Sequence, residues 1–295
     1  MKPGIDPLEL LCNAASERRL MPFIGAGFSK NVDRAMPVWD DVIDIAADLL
    51  GYTPSVLRAQ GDSYQIADLL AARGRLDRFY QIVADTLDSA KYQVSASRPH
   101  ALLPYIDAGA IFTTNWDSWI EKAFLAQGVP HRKIRSVSDL RRTPHPGGTT
   151  TGQEYGAAER VSLRSNPHTD IYKLHGDFSV EKSLVFRESD YFERMRFEDP
   201  LDIRLRGAIL EKSVVFVGYS NRDMDVRLIW HRLSKSIEDV ERGKRPTSFF
   251  VTYGDFPLQR ELFEQKNIEI ISLDPLNKSE SLAALFQQII DAQRN

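Results

Sequence analysis

The sequence predicts an α/β fold in which a Rossmann-like parallel sheet carries helices on both faces. Short apolar runs alternate with amphipathic segments along much of the 295 residues, which is typical of strands joined by crossover helices. Four of these runs end in clusters of small and polar residues, near positions 25, 113, 175 and 218. Open parallel sheets bind ligands beyond the carboxyl ends of their strands, so the four ends predict one shared site.

The first predicted elements are a helix over residues 7–19 and a strand over residues 20–24. Asp6 and Pro7 form an N-cap and first-turn signal, and apolar residues recur after them with helical spacing. Pro22 lacks a backbone N–H, so we expect it near the start of its strand or in an edge strand.

Residues 38–108 are predicted to form a helical layer or insertion, because three apolar stripes in this region have helical spacing. The sheet-forming core would then comprise about residues 7–37 and 109–295. Together they would form a single domain over residues 1–295.

The second half is predicted to alternate strands with helices. Expected helices cover residues 117–127, 199–211, 223–239, 257–265 and 279–293, and expected strands cover 129–137, 184–186, 213–217, 247–252 and 268–273. Residues 143–168 are rich in Gly, Pro and Thr, which favours a loop that covers a ligand or a plain surface loop.

Composition excludes several classes of function. The net charge of −3 does not favour nucleic acid as the main ligand. Cys12 is the only cysteine, which excludes an internal disulfide and a four-cysteine zinc module, and no histidine pair has metal-ligand spacing, so no metal is expected. The first residues do not resemble a signal peptide, and no apolar run has membrane-spanning length. A cytoplasmic location is therefore expected.

The first cluster, Gly-Ala-Gly-Phe-Ser at 25–29, follows a strand directly. Gly25, Ala26 and Gly27 are small enough to let a pyrophosphate approach the backbone, and Ser29 adds a hydroxyl. The third glycine of the dinucleotide-binding fingerprint is missing, so a tight turn explains the cluster almost equally well.

The second and third clusters contain the candidate catalytic groups. Asn115 stands at a strand end where Asn is disfavoured, and it offers both a donor and an acceptor. Asp117 either contacts a ligand or caps the next helix. His175 stands where a general base would be placed, although a lone histidine is more often structural.

In the fourth cluster, Gly218 and Ser220 could hold a ribose or phosphate at a helix start. Alternatively, the segment 220–223 forms a capping pair, and the two roles are compatible.

Taken in order, these clusters resemble the Gly-Ala-Gly-x-Ser, Thr-x-Asn-x-Asp, His-Gly and Gly-x-Ser motifs of the sirtuin superfamily. The resemblance spans about residues 20–220. Protein-deacylating sirtuins carry a four-cysteine zinc module, which a single cysteine excludes. They also carry Gly-Ile-Pro-x-Phe-Arg, where this chain has Met-Pro-Val-Trp-Asp at 36–40, with Trp39 in place of the Phe.

The clusters are more similar to the sirtuin-like (SIR2-like) NAD hydrolase domains of bacterial anti-phage defence systems. The resemblance implies cleavage of the nicotinamide–ribose bond of NAD, which would deplete NAD in abortive infection. It implies that Asn115 holds the nicotinamide ribose and the attacking water, that His175 is the base, and that Asp117 contacts the carboxamide. The remaining NAD-binding residues would be Gly25, Ala26, Gly27, Ser29, Trp39, Gly218 and Ser220.

Two other functions stay open at the level of sequence. One is a divergent protein deacylase or ADP-ribosyltransferase, which the missing cysteines disfavour. The other is a non-catalytic module that binds NAD or ADP-ribose, which would need neither Asn115 nor His175. The hydrolase hypothesis also implies a homo-oligomer and a separate regulatory or sensor protein. The first candidate for that protein is a HerA-like hexameric ATPase. No direct contact with nucleic acid or membrane is expected.

Overall fold

The protein forms a seven-stranded parallel sheet with helices packed against it. The computed structural model describes residues 6–60, 63–140, 168–180, 183–194, 196, 198–219, 227, 231 and 245–294. The strands are β1 (Leu20–Ile24), β2 (Ala110–Thr113), β3 (His131–Ile134), β4 (Thr169–Lys173), β5 (Ser213–Val217), β6 (Ser248–Tyr253) and β7 (Ile268–Leu273). Their order across the sheet is β3-β4-β2-β1-β5-β6-β7. The predicted α/β class is confirmed.

Helices occupy most of the segments between the strands. They are α1 (Pro7–Ser16), α2 (Trp39–Leu50), α3 (Pro54–Gln60), α4 (Ser63–Ala72), α5 (Leu76–Leu87), α6 (Arg98–Leu102), α7 (Trp119–Ala126), α8 (Val137–Leu140), α9 (Glu188–Arg194), α10 (Pro200–Glu211), α11 (Pro257–Glu264) and α12 (Lys278–Arg294). Short 3-10 turns cover Ala26–Asn31, Val94–Ala96 and Leu103–Tyr105.

Alternate residues of the central strands supply two separate cores. On one face, Ile111 and Ile171 pack with residues of α1, α7 and α12. On the other, Phe112 and Tyr172 stack with ring centroids 4.6 Å apart, in a core that includes residues of α10. This alternation follows from the two-residue period of side chains along a strand.

The predicted helical layer is confirmed as α2 to α5, which form a third core of their own. It includes Phe79, Trp116 and Phe186, and the Phe79 and Phe186 rings stack with centroids 4.8 Å apart. Trp116 stands between Asn115 and Asp117, so this layer packs beside the second polar cluster.

Three details differ from the sequence prediction. The segment 184–186 is not a strand, because its buried apolar residues pack into the helical layer, and Val185 donates one backbone hydrogen bond to His175. Pro22 lies in the middle of a central strand, which is tolerated because the β1–β2 pairing begins only at Phe23. Helix α1 ends at Ser16 rather than near residue 19, since Arg18 adopts a left-handed φ of 55°.

Helix α9 was not predicted from the sequence, and its start is stabilised by Asp190, which accepts backbone hydrogen bonds from Phe186 and Arg187. The predicted helix over 223–239 and almost all of the predicted loop over 143–168 lie outside the described residues. In the part of the chain that the structure describes, no helix has both the length and the apolar character needed to cross a membrane.

Candidate active site

The four polar clusters follow four strands that are neighbours in the sheet. β4, β2, β1 and β5 are adjacent in that order, and all of them are parallel, so their carboxyl ends meet at one edge. The sequence predicted a shared edge, and the sheet order now shows that the four ends are contiguous. Residues far apart in the chain can therefore contribute to one cleft.

The glycine turn after β1 packs directly against the turn after β5. A Cβ atom on Gly25 or Gly27 would lie 2.8 Å from the carbonyl oxygen of Gly218. Gly218 itself has a φ of 78°, and a Cβ there would lie 2.3 Å from the backbone nitrogen of Phe28. Side chains at these three positions would push the turns apart, because such separations are far below van der Waals contact.

This close approach uses several of the N–H groups of the turn. Gly25 donates to the carbonyl of Val217 (2.8 Å), Gly27 to that of Gly218 (2.9 Å) and Phe28 to that of Gly25 (2.9 Å). The first two bonds join the end of β1 to the end of β5 and the third closes the glycine turn on itself, so a pyrophosphate would have to be bound by other donors at this edge. Ala26 is exposed at the tip of the turn.

Asn115, Ser29 and Asp117 form one buried hydrogen-bonded chain. The Ser29 hydroxyl donates to Asp117 Oδ2 (2.7 Å), and Asn115 Nδ2 donates to Ser29 Oγ (3.3 Å). Asp117 Oδ1 accepts from the backbone N–H of Trp119 (3.2 Å), which is the helix-capping role anticipated from the sequence. Asn115 Oδ1 is buried and has no hydrogen-bond partner among the residues that the structure describes. A buried, unsatisfied acceptor at the ligand edge is suited to a ligand hydroxyl or a water molecule.

His175 and Asn115 occupy equivalent positions on adjacent strands. The register of β2 and β4 pairs Thr113 with Lys173, and each candidate residue lies two positions beyond that pair. Both side chains are at least nine-tenths buried. The two candidate residues therefore follow the ends of neighbouring strands.

The surroundings of His175 keep its ring neutral. Burial, together with the positive charge of Arg194, lowers the pKa of His175 from 6.5 to about 3. The Tyr191 ring stands edge-on to the imidazole, with centroids 5.5 Å apart. Arg194 is held in α9 by ion pairs with Asp202 (2.6 Å) and Asp199 (3.5 Å). At neutral pH the imidazole is unprotonated and keeps a lone pair, but a pKa of about 3 makes it a weak proton acceptor in this state.

A buried lysine lies beneath the site. Lys173 is fully buried, pairs with Glu121 at 3.4 Å and donates to the backbone carbonyl of Asp117. Burial opposes its charge, but the carboxylates of Glu121, Asp117 and Asp177 outweigh burial and raise the pKa of Lys173. The cation therefore ties the end of β4 to the turn that carries Asp117.

Two other predicted binding residues cannot be placed. The side chain of Trp39, at the start of α2, and all of Ser220 lie outside the described residues. In the ranges that the structure describes, no group of three His, Cys, Asp or Glu side chains could hold a metal ion.

Sequence reasoning missed several residues around the site. Lys173 had a detectable signal, since a lysine inside an apolar strand must find a buried partner. Tyr191 and Arg194 had none, because they belong to the unpredicted helix α9. His100 on α6 is fully buried, with Nδ1 at 2.7 Å from Ser97 Oγ, and its ring lies 4.1 Å from that of Phe28 in the glycine turn.

Comparison with protein families agrees with this geometry. The family model described as "SIR2-like domain" matches residues 109–271, more than half of the 295 residues. The chain belongs to the SIR2-like family. The match includes Asn115, Asp117, His175 and Gly218, three of the four clusters at the carboxyl edge.

Curated proteins similar to this SIR2-like chain carry one name. "NAD(+) hydrolase ThsA" of Bacillus cereus (strain MSX-D12) is 25% identical over 222 residues, covering 75% of this chain and 41% of that protein. The proteins of the same name from Cytobacillus dafuensis and Enterococcus faecium are each 24% identical, over 72% and 70% of this chain and 37% and 38% of theirs. The chain therefore aligns with only about two fifths of the length of these relatives.

Proposed function

We propose that this SIR2-like protein is an NAD glycohydrolase that converts NAD and water to nicotinamide and ADP-ribose. The observation that carries the proposal is the buried, unsatisfied Oδ1 of Asn115 at the edge where His175 also lies. The names of the ThsA relatives support NAD as the substrate and hydrolysis as the reaction.

The reaction needs positioning and one base. The bond between ribose C1′ and the nicotinamide nitrogen breaks with its electron pair going to the nitrogen, so the leaving group departs as a neutral base. An oxocarbenium-like ribose is left, to which the water oxygen bonds. Asn115 Oδ1 accepts from a ribose hydroxyl or from the water, and His175 takes the proton that the water loses. Such contributions each amount to orders of magnitude in rate.

The rest of the substrate would extend along the same edge. The turns containing Ala26 and Gly218 lie where the pyrophosphate and adenosine would pass, and Trp39 and Ser220 remain predicted contacts. Water must be limited around the reacting carbon, a role suited to the Tyr191 ring beside His175.

The test is product analysis with NAD, using the purified chain alone and together with the products of neighbouring genes. Nicotinamide and ADP-ribose should form in equal amounts, and Asn115→Ala and His175→Ala should each lower kcat by at least about 100-fold. His168→Ala is the matched control, because His168 precedes β4 at the opposite edge of the sheet. Failure of every preparation to release nicotinamide, or equal activity in all three variants, contradicts the proposal.

The same experiment separates the two alternatives. Nicotinamide release that depends on an acylated peptide, or label transfer from NAD to protein, indicates a deacylase or ADP-ribosyltransferase. Binding of ADP-ribose without turnover indicates a regulatory module.

We further propose that the activity is restrained by assembly. An unrestrained NAD hydrolase would harm its own cell, so a homo-oligomer and a separate sensor protein are expected, with a HerA-like hexameric ATPase as the first candidate. The helical layer α2–α5 is the candidate assembly surface. Light scattering of the chain alone and of the co-expressed pair tests this, and a monomer with full activity contradicts it.

A further inference from the structure

We propose that Asp117 is a positioning residue that acts through Ser29 to fix which end of the Asn115 amide faces the substrate. The inference deepens the proposed function, because it assigns the acceptor orientation of Asn115 to residues that do not touch the reacting atoms. It is an alternative to the carboxamide contact that the family resemblance suggested for Asp117.

Both carboxylate oxygens of Asp117 already accept hydrogen bonds from the protein. Oδ2 accepts from the Ser29 hydroxyl, and Oδ1 accepts from the Trp119 backbone N–H. Asp117 is only 4% exposed. Asp117 is therefore placed to organise neighbouring groups more readily than to contact a ligand.

The ionised Asp117 determines the direction of the hydrogen bonds that link it to Ser29 and Asn115. An ionised carboxylate can only accept, so the single proton of the Ser29 hydroxyl must point to Asp117. Ser29 Oγ then has only lone pairs left for its other neighbour. Asn115 must present Nδ2 to it, as observed at 3.3 Å. The amide cannot turn over without placing Oδ1 against an oxygen lone pair.

This chain of hydrogen bonds leaves the Asn115 oxygen available to the ligand. With Nδ2 committed to Ser29, Oδ1 is the end of the amide that has no partner within the described part of the chain. The backbone of the same residue is also fixed, because its N–H donates to Thr113 Oγ1 (3.0 Å), whose hydroxyl donates to the Ile24 carbonyl (2.7 Å). Asn115 is thus held as an acceptor for a ribose hydroxyl or the attacking water.

Several charged groups face Asp117 and determine its ionisation. Burial, reinforced by the charge of Asp88 at the end of α5, outweighs the opposing charge of Lys173 on β4, and the pKa of Asp117 is raised to about 6. Asp88 is itself bound by Lys122 of α7 at 3.0 Å. At neutral pH the carboxylate is ionised, which is the state that the chain of hydrogen bonds requires.

The variants that test this are Ser29→Ala and Asp117→Asn, with Ser248→Ala as the matched control. Ser248 is equally buried, and its hydroxyl accepts from a backbone N–H on β5, away from the site. Ser29→Ala removes the link. Asn at 117 can donate to Ser29, which would turn the serine proton toward Asn115 and invert the amide.

In kinetics with NAD, the variants should change kcat much more than KM. Both variants are expected to lower kcat about 10- to 100-fold, with KM within about threefold, because misorientation of one catalytic group costs about two orders of magnitude. The double variant should be no slower than the slower single one, because the two residues act in one chain. A kcat within threefold of wild type in Ser29→Ala, or multiplicative effects in the double variant, would overturn the inference.

A second readout does not depend on activity. In the ¹⁵N-labelled protein, the side-chain NH₂ signal of Asn115, assigned by its loss in Asn115→Ala, should exchange at least about tenfold faster in Ser29→Ala. It should remain unchanged in Ser248→Ala. Unchanged exchange in Ser29→Ala overturns the inference even in an active enzyme. If wild type never releases nicotinamide but the signal responds as expected, the proposed function fails while the orienting chain stands.

Discussion

The fully buried His100 should make the protein measurably less stable in mild acid. Burial lowers the pKa of His100 from 6.5 to about 3, so the ring is neutral in the folded protein at every pH above about 4. The unfolded chain binds a proton at His100 below its ordinary pKa of 6.5. The stability contributed by this site is therefore complete above pH 6.5 and is lost as the pH falls toward 3.

The magnitude follows from the two pKa values. Between pH 7 and pH 5, protonation of His100 in the unfolded chain alone lowers the free energy of unfolding by about 2 kcal/mol. The exact value of the folded-state pKa has little influence, because a group with a pKa of 3 or 4 is almost entirely neutral at pH 5. Other titrating groups contribute equally to wild type and variant and cancel in the comparison.

The perturbation is His100→Asn, in which the amide oxygen can still accept from Ser97 Oγ, the present partner of Nδ1. Urea unfolding at pH 7 and pH 5 gives the free energy of unfolding for each protein. The pH-dependent loss should be about 2 kcal/mol smaller in the variant than in wild type. Ser97→Ala is the control, since it removes a hydrogen bond but leaves the buried imidazole, and so it should retain the wild-type pH dependence.

Equal pH dependence in wild type and His100→Asn would refute the reasoning. It would mean that the folded protein accommodates a charged imidazole at this position, against the burial seen beside Phe28.

Three further predictions concern the strand ends and the cation beneath them. Gly218→Ala should lower the free energy of unfolding by about 3 kcal/mol or more, because the added methyl group would lie 2.3 Å from a backbone atom. Gly51 also has a positive φ, of 75°, but no atom lies within 4 Å of the position that its methyl group would take, so Gly51→Ala should cost only about 1 kcal/mol. Equal losses for the two variants in urea unfolding would contradict this prediction. Lys173→Met should lower the free energy of unfolding by about 3–5 kcal/mol, because it leaves Glu121 buried without its cation. Adding Glu121→Gln to that variant should recover part of the lost stability, measured by thermal unfolding. The kcat for NAD should fall as the pH drops through about 6, the pKa to which burial raises Asp117. This loss of activity at acid pH should be absent in Asp117→Asn, with circular dichroism showing folded protein at each pH.

The sequence predicted best what depends on local pattern. Strands β1, β5 and β7 begin and end where their apolar runs do, at residues 20–24, 213–217 and 268–273. The clusters after the strands were identifiable because small and polar residues interrupt an apolar run, and a parallel sheet brings such interruptions to one edge. The apolar run over 184–186 was misread because a short buried segment looks the same whether it packs against a sheet or against helices.

The site was only partly predictable. Asn115 and His175 were found because polar residues are unusual at the ends of buried strands. Ser29 and Asp117 were also predicted as site residues, but the hydrogen bond between them was not, because they are 88 positions apart and sequence pattern carries no signal for a contact at that separation. His100 had no pattern either, since its burial depends on packing between α6 and the glycine turn.

By itself the sequence determined the α/β class, the four polar strand ends and the absence of cysteines for a zinc module. These properties are readable because they depend on residue type and on spacing along the chain. Only the tertiary structure decided that β4, β2, β1 and β5 are neighbours, that Lys173 donates to the Asp117 carbonyl, and that the Asn115 oxygen has no partner in the ranges that the structure describes. Lateral strand order and hydrogen-bond direction arise from contacts between distant segments, whose geometry is set when the helices and the sheet pack together.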